Sequence, residues 1–217
     1  MQTPRLIYFA DPMCSWCYGF SPVISQIRQT FGRALPIQLV MGGLRPGNDK
    51  PTTEQAKTEL KIHWEHVHEA TGLPFDEAVL DRPGFLYDTD PAARAVVRVR
   101  REDGEQAVNY LRRLQQAFYA QNRDITQAEV LADLAAEFGV DRDAFLADFE
   151  TEDLKHETWN DYAIAQRAGV TGFPTLVGGP NEEGAYGVVT RGFAPAAPVM
   201  QVLHQWLGTE PEPVIPG

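Results

Sequence analysis

The chain of 217 residues contains two cysteines, Cys14 and Cys17, separated only by Ser15 and Trp16. A Cys-x-x-Cys pair supports thiol–disulfide exchange or metal ligation. Zinc takes about four ligands. No second cysteine pair exists, and His63, His66 and His68 match no zinc-finger spacing, so no metal is expected. A role as a structural staple fits poorly too, because so short a loop joins no distant segments. The reactive form of cysteine is the thiolate. What the neighbouring segments do to that charge therefore decides whether this pair reacts.

Leu6-Ile7-Tyr8-Phe9-Ala10, closed by Asp11-Pro12, reads as a buried strand. From Cys14 to about Phe31, Val23, Ile24, Ile27 and Phe31 recur at helical spacing. Pro22 is expected to kink this helix and Gly32 to end it. The pair thus opens a helix, where unpaired N–H groups and the positive dipole end favour a thiolate. Cys14, nearer the mouth, is the expected nucleophile. Cys17, one turn deeper, is the expected resolving thiol. Ser15 and Trp16 are placed to tune the pair and meet substrate, and Trp16 also suits a hydrophobic cover. Asp11 is either a proton relay or a cap for its own turn.

Pro36 to Met41 reads as a second strand. Met41-Gly42-Gly43-Leu44 is a candidate groove lining, with turn glycines as the plainer explanation. Helices follow. Thr53–Thr71 carries Leu60, Trp64 and Val67 on one side, Asp90-Pro91 is a start signal, and Gln106–Gln121 has an apolar stripe. Thr126 and Glu129 form a capping box for a helix to Phe138, and Asp141 and Thr151 cap two more. Strands return at Pro174–Val177 and Gly187–Arg191 around a polar turn at 178–184. An amphipathic helix, Pro198–Leu207, and a loose tail from Thr209 complete the chain. The order is β-α-β, a helical block at 46–150, then α-β-β-α, which implies an α/β fold with one parallel strand pair and one hairpin.

Hydrophobic residues make up 43% of the chain, enough for a real core. A net charge of −11 argues against a nucleic-acid partner and against an anionic membrane surface. The short Arg98-Arg100-Arg101 run does not reverse that. No apolar run approaches the roughly 20 residues of a spanning helix. The opening Met1-Gln2-Thr3-Pro4-Arg5 lacks the features of a secretory leader, so a cytoplasmic location is expected.

Asp11-Pro12-Met13-Cys14-Ser15-Trp16-Cys17-Tyr18-Gly19-Phe20, following an apolar strand, resembles the FrnE-like branch of the DsbA family. Gly169-Val170-Thr171-Gly172-Phe173-Pro174-Thr175 resembles the cis-proline loop of thioredoxin-fold proteins. The resemblance implies a thioredoxin-like fold built from residues 1–45 and 151–208, with a large helical insertion at 46–150 and a flexible tail at 209–217. It implies oxidoreductase or disulfide isomerase activity on protein or small-molecule disulfides, with no cofactor beyond the redox-active disulfide. A reducing partner such as glutathione or a thioredoxin system is implied as well. It assigns Pro174 a cis bond that sets the Phe173 backbone opposite the cysteines, where an extended substrate can pair as an added strand. The plainer alternative for Pro174 is an ordinary strand-start proline. The related 2-hydroxychromene-2-carboxylate isomerases and kappa-class glutathione transferases usually have serine where Cys14 stands. A glutathione-dependent isomerase or transferase is therefore the alternative activity, and a non-catalytic binding module is a third reading.

Overall fold

The structure is a computed structural model that describes residues 3–181 and 183–209. Strand β1 (Arg5–Ala10) has both faces buried, which is why its apolar run is nearly continuous. Leu6, Tyr8 and Ala10 enter the main core, while Phe9 joins Val40 and Ala165 in a smaller cluster on the other face. β1 pairs in parallel with β2 (Ile37–Met41) and antiparallel with β3 (Thr175–Gly179), and β3 pairs antiparallel with β4 (Gly187–Arg191). The sheet order is β2-β1-β3-β4, so the parallel pair and the hairpin both occur as expected. Register slips once, between Leu176 and Val177, at a bulge that suits β4 as a short edge strand.

The crossover from β1 to β2 is α1 (Ser15–Phe31), which runs through Pro22 as one element. Pro22 has no N–H for the Tyr18 carbonyl, so that carbonyl loses its helical partner. Then come α2 (Glu54–Thr71), α3 (Asp90–Glu102), α4 (Gly104–Gln121), α5 (Ala128–Ala136), α6 (Arg142–Phe149), α7 (Glu152–Arg167) and, after β4, α8 (Ala196–Leu207). Buried residues of α1, α3, α4 and α5 share one apolar core with β1 and β2, so the helical block packs directly on the sheet. Among the described residues, no helix is long and apolar enough to cross a membrane.

Several boundaries differ from the sequence reading, each for a local reason. Asp90 is not a cap. It is the first helical residue of α3, its N–H is taken by Asp88 Oδ1, and its carboxylate instead holds Arg94 and the Tyr162 hydroxyl. The Thr126–Glu129 capping box does not form. Asp124 Oδ1 captures both the N–H and the hydroxyl of Thr126, and α5 starts at Ala128 without a side-chain cap. Asp141 and Thr151 do cap, accepting the N–H groups of Ala144 and Leu154. β3 reaches Gly179, beyond Val177, because the backbones of Gly178 and Gly179 still pair with Leu6 and Arg5; a cis Gly179–Pro180 bond follows. α8 begins two residues before Pro198, which then lies inside its first turn, where a proline needs no N–H partner. Of the expected tail, residues 210–217 lie outside the described residues.

Arg100, from the arginine run of α3, is a brace for the sheet. β2 is an edge strand, with backbone groups facing away from β1. Asp161 of α7 accepts the Met41 N–H at 2.8 Å, and Arg100 donates to the Leu39 carbonyl at 2.8 Å. The two side chains also bind each other, at 2.5 and 3.1 Å. Asp161→Ala should leave the buried Met41 N–H unpaired and Arg100 with Glu157 as its remaining carboxylate, and lower stability by about 1–3 kcal/mol in urea unfolding. A loss below about 1 kcal/mol would show that the brace is not structural.

Candidate active site

β1 ends at Ala10, and a turn closed by the Cys14 N–H on the Asp11 carbonyl (3.2 Å) leads into α1. Cys14 is itself the helix N-cap. Its backbone is extended (φ −94°, ψ 114°), and its sulfur accepts the Cys17 N–H at 3.3 Å. A capping atom takes an orphan donor of the first turn and sits at the positive end of the helix. Here that atom is the sulfur, so the first turn of α1 presents an N–H and its positive end to Cys14. From the other side the Cys14 thiol donates to the Phe173 carbonyl at 3.6 Å, across a loop whose Phe173–Pro174 bond is cis. The two motifs therefore meet at one sulfur, although they stand far apart in sequence.

The cysteines are unequal. Cys14 is 6% exposed and lines a cavity of about 200 Å³, whereas Cys17 is wholly buried. Burial, reinforced by the adjacent Cys14 sulfur, pushes the Cys17 thiol well above its usual range. Cys17 thus stays a thiol while Cys14 faces the opening. Neither is in a disulfide.

Ser15 is buried, and its hydroxyl meets no described partner; Trp16 is half-buried at the cavity rim. The Trp16 ring lies against Phe193 and the edge of His63 (centroids 5.2 and 5.9 Å). Asp11 is fully buried. Its carboxylate accepts the Met13 N–H at 2.9 Å and the Leu44 N–H at 2.8 Å, which ties the cysteine turn to the loop after β2. This is the capping geometry expected of Asp11. Burial raises its pKa to about 6 against those two stabilising bonds, so the carboxyl also titrates near neutrality.

Gly42 and Gly43 have a packing reason. A Cβ on Gly42 would fall 2.2 Å from the Phe173 ring, and Gly43 (φ +72°) presses on the Tyr162 ring. Leu44 lines the Cys14 cavity, so part of the Met41–Leu44 segment belongs to the groove. The sequence reading missed Arg45, Leu60, His63, Trp64 and Tyr87, which complete the cavity wall. Leu60, His63 and Trp64 are three and four residues apart on α2, a spacing that marks one helix face. Arg45 and Tyr87 carry no such signal. His66 and His68 are exposed, as expected for a polar helix. Among the described residues, no cluster of metal-ligating side chains occurs.

Residues 5–191 match the family model for the DSBA-like thioredoxin domain. Among solved structures, a Nitrosomonas europaea protein with a provisional disulfide isomerase assignment is 35% identical, with a TM-score of 0.86 over 95% of this chain and 98% of that one. The cytosolic disulfide reductase DsbM of Pseudomonas aeruginosa, also solved with GSH, is 28% identical, with a TM-score of 0.78 over 94% and 98% of the two chains. Among curated proteins, the ClpXP adapter SpxH of Halalkalibacterium halodurans is 24% identical over 97% of this chain and 70% of its own length.

Two outcomes test this geometry. Gly42→Ala should displace the Phe173 ring, lower stability by about 1–3 kcal/mol as an overpacked contact does, and slow any reaction at Cys14; unchanged stability would mean that the ring has room to move. Asp11 has a raised folded pKa, so its protonated form is favoured in the fold and stability falls as pH rises from about 4 through about 6. Relative to Asp11→Asn, the wild type should lose about 3 kcal/mol between pH 4 and 7. A pH-independent difference between the two would refute the assignment.

Proposed function

The chain belongs to the family of DSBA-like thioredoxin domains, and on that premise we propose that it is a thiol–disulfide oxidoreductase working through Cys14 and Cys17. The observation that carries this reading is the Cys14 sulfur, which caps α1, faces the cavity and opposes the Phe173 carbonyl. The Cys14 thiolate attacks one sulfur of a substrate disulfide, forms a mixed disulfide and expels the other sulfur as a thiolate. Cys17 loses its proton and attacks Cys14, closing the Cys14–Cys17 disulfide and releasing the second substrate thiolate. The substrate has gained two electrons and the enzyme has lost them. Two equivalents of a low-molecular-weight thiol, such as glutathione, return the pair to its reduced state.

The buried Cys17 thiol needs a base, and Asp11 is the carboxylate whose charge bears on it. Asp11 takes the proton in this reading, as a relay for which a pKa of about 6 is well suited. An extended polypeptide substrate pairs with the Phe173 backbone while Trp16 covers the reacting sulfurs. Two considerations favour reduction or isomerisation in the cytoplasm over oxidation: the cytosolic reductase among the similar structures, and a reducing compartment's bias toward thiols.

A second reading has support from the SpxH relatives, which are named as adapters. In it the groove binds a protein partner and the cysteines do not turn over. Insulin or glutathione-disulfide reduction separates the two. Wild type should turn over, Cys14→Ser should lose at least about 1000-fold, and Cys17→Ala should accumulate a Cys14 mixed disulfide visible by intact mass. Absence of thiol-dependent turnover in the wild type, with partner binding intact in Cys14→Ser, would replace the oxidoreductase reading by the adapter one.

A further inference from the structure

The outer edge of β4 carries an apolar groove that the exchange reaction does not use. β4 ends the sheet order, and among the described residues no strand pairs with its free edge. A cavity of about 260 Å³ crosses that edge at Gly187. Val202 and Trp206 of α8 line it, as do Tyr186 and Val188 of the hairpin. Tyr186, Val188 and Val202 are 43%, 48% and 40% exposed, a cluster of large apolar side chains of the kind that marks a contact surface.

The groove is already shaped. A Cβ on Gly178 would fall 3.0 Å from the Trp206 ring, and one on Gly179 would fall 2.4 Å from the Tyr186 ring. Neighbouring strand positions point to opposite faces, so the two rings flank the end of the hairpin from its two sides. The Tyr186 hydroxyl accepts from Arg5 at 2.9 Å, which holds its ring in place. A Cβ on Gly187 would meet nothing within 4 Å, so the passage over the edge is open.

The described chain ends beside this groove. α8 stops at Leu207, Gly208 turns the backbone in the left-handed region (φ +63°), and Thr209 is tied back to His204 through its N–H (3.0 Å) and its hydroxyl (2.9 Å). Residues 210–217 read Glu-Pro-Glu-Pro-Val-Ile-Pro-Gly. Proline at 211, 213 and 216 favours the extended polyproline conformation, which docks on aromatic-lined grooves with little entropy to lose. At about 3.1 Å per residue the segment spans about 25 Å, enough to pass from the α8 side of the sheet to the Tyr186 side. Its two acids, Glu210 and Glu212, complement Arg5, which pairs with no carboxylate among the described residues.

We propose that residues 210–217 occupy this groove in the same molecule, crossing the β4 edge at Gly187 as an extended proline-rich segment. Pro213, Val214 and Ile215 pack on Tyr186 and Val188, and the glutamates are drawn toward Arg5. The segment covers the apolar cluster and closes the β4 edge to a further strand. A second copy of the chain is the competing occupant, but a net charge of −11 on each copy opposes self-association.

The test is NMR on the full chain. The Trp206 indole N–H signal is assigned by its loss in Trp206→Phe, and the Tyr186 ring signals by their loss in Tyr186→Phe. Wild type should show nuclear Overhauser contacts from the Val214 and Ile215 methyls to the Tyr186 ring. Two variants should each abolish those contacts and shift the Trp206 and Tyr186 signals. Val214→Asp with Ile215→Asp alters the segment, and Gly187→Val fills the passage from the groove side at a position with free space. Absence of the contacts in wild type, or their survival in both variants, would overturn the proposal. So would contacts between labelled and unlabelled chains in a mixed sample, which would assign the groove to a second copy. None of these readouts depends on thiol turnover, so the oxidoreductase reading stands or falls separately.

Discussion

The Cys14 sulfur is the junction on which the site depends. It accepts the Cys17 N–H at the start of α1 and meets the Phe173 carbonyl from the loop before β3. A helix N-terminus supplies a donor that is unsatisfied by construction. Here the capping role that serine, threonine or aspartate usually fills falls to the Cys14 sulfur, so in the proposed exchange reaction folding and reactivity share one contact. Whatever positions the first turn of α1 also positions that sulfur.

Much of the surrounding structure holds that junction in place. The Asp11 carboxylate joins the cysteine turn to the Leu44 loop, and the Tyr87 hydroxyl fastens Met13 to the segment before α3. Gly42 leaves space for the Phe173 ring, so the loop can close against the end of β2. The Arg100–Asp161 pair satisfies the outer edge of β2 and binds α3 and α7 to the sheet. The helical block is thus part of the apparatus that orients the pair, because it packs on the sheet through a continuous core.

The site also concentrates unfavourable electrostatics. Asp11 and Cys17 are both fully buried, and burial moves both toward their protonated forms. At neutral pH the raised pKa of Asp11 weakens the fold, whereas Cys17 is a thiol there whether folded or not, and such perturbed groups persist where proton movement is useful. Arg45 is the one lysine or arginine in the wall of the cavity.

The sequence by itself determined most of the elements and the placing of the cysteine pair at a helix start. An apolar run before Cys14, helical spacing after it, and glycine and proline punctuation are local signals, and local backbone preferences produced β1, α1, β4 and most helix starts. The sequence reading slipped where a side chain had competing partners. Asp90 serves Arg94 and Tyr162, and Asp124 rather than Glu129 organises the turn before α5. The same limit explains the rest of the site. Arg45, His63, Trp64 and Tyr87 come from three separate segments, and nothing in their spacing along the chain reveals that they converge on Cys14. Only the tertiary structure decided which groups surround the sulfur and which buried donors lack a partner. Burial, charge and hydrogen-bond satisfaction are properties of neighbours in space, and packing, not sequence order, chooses those neighbours.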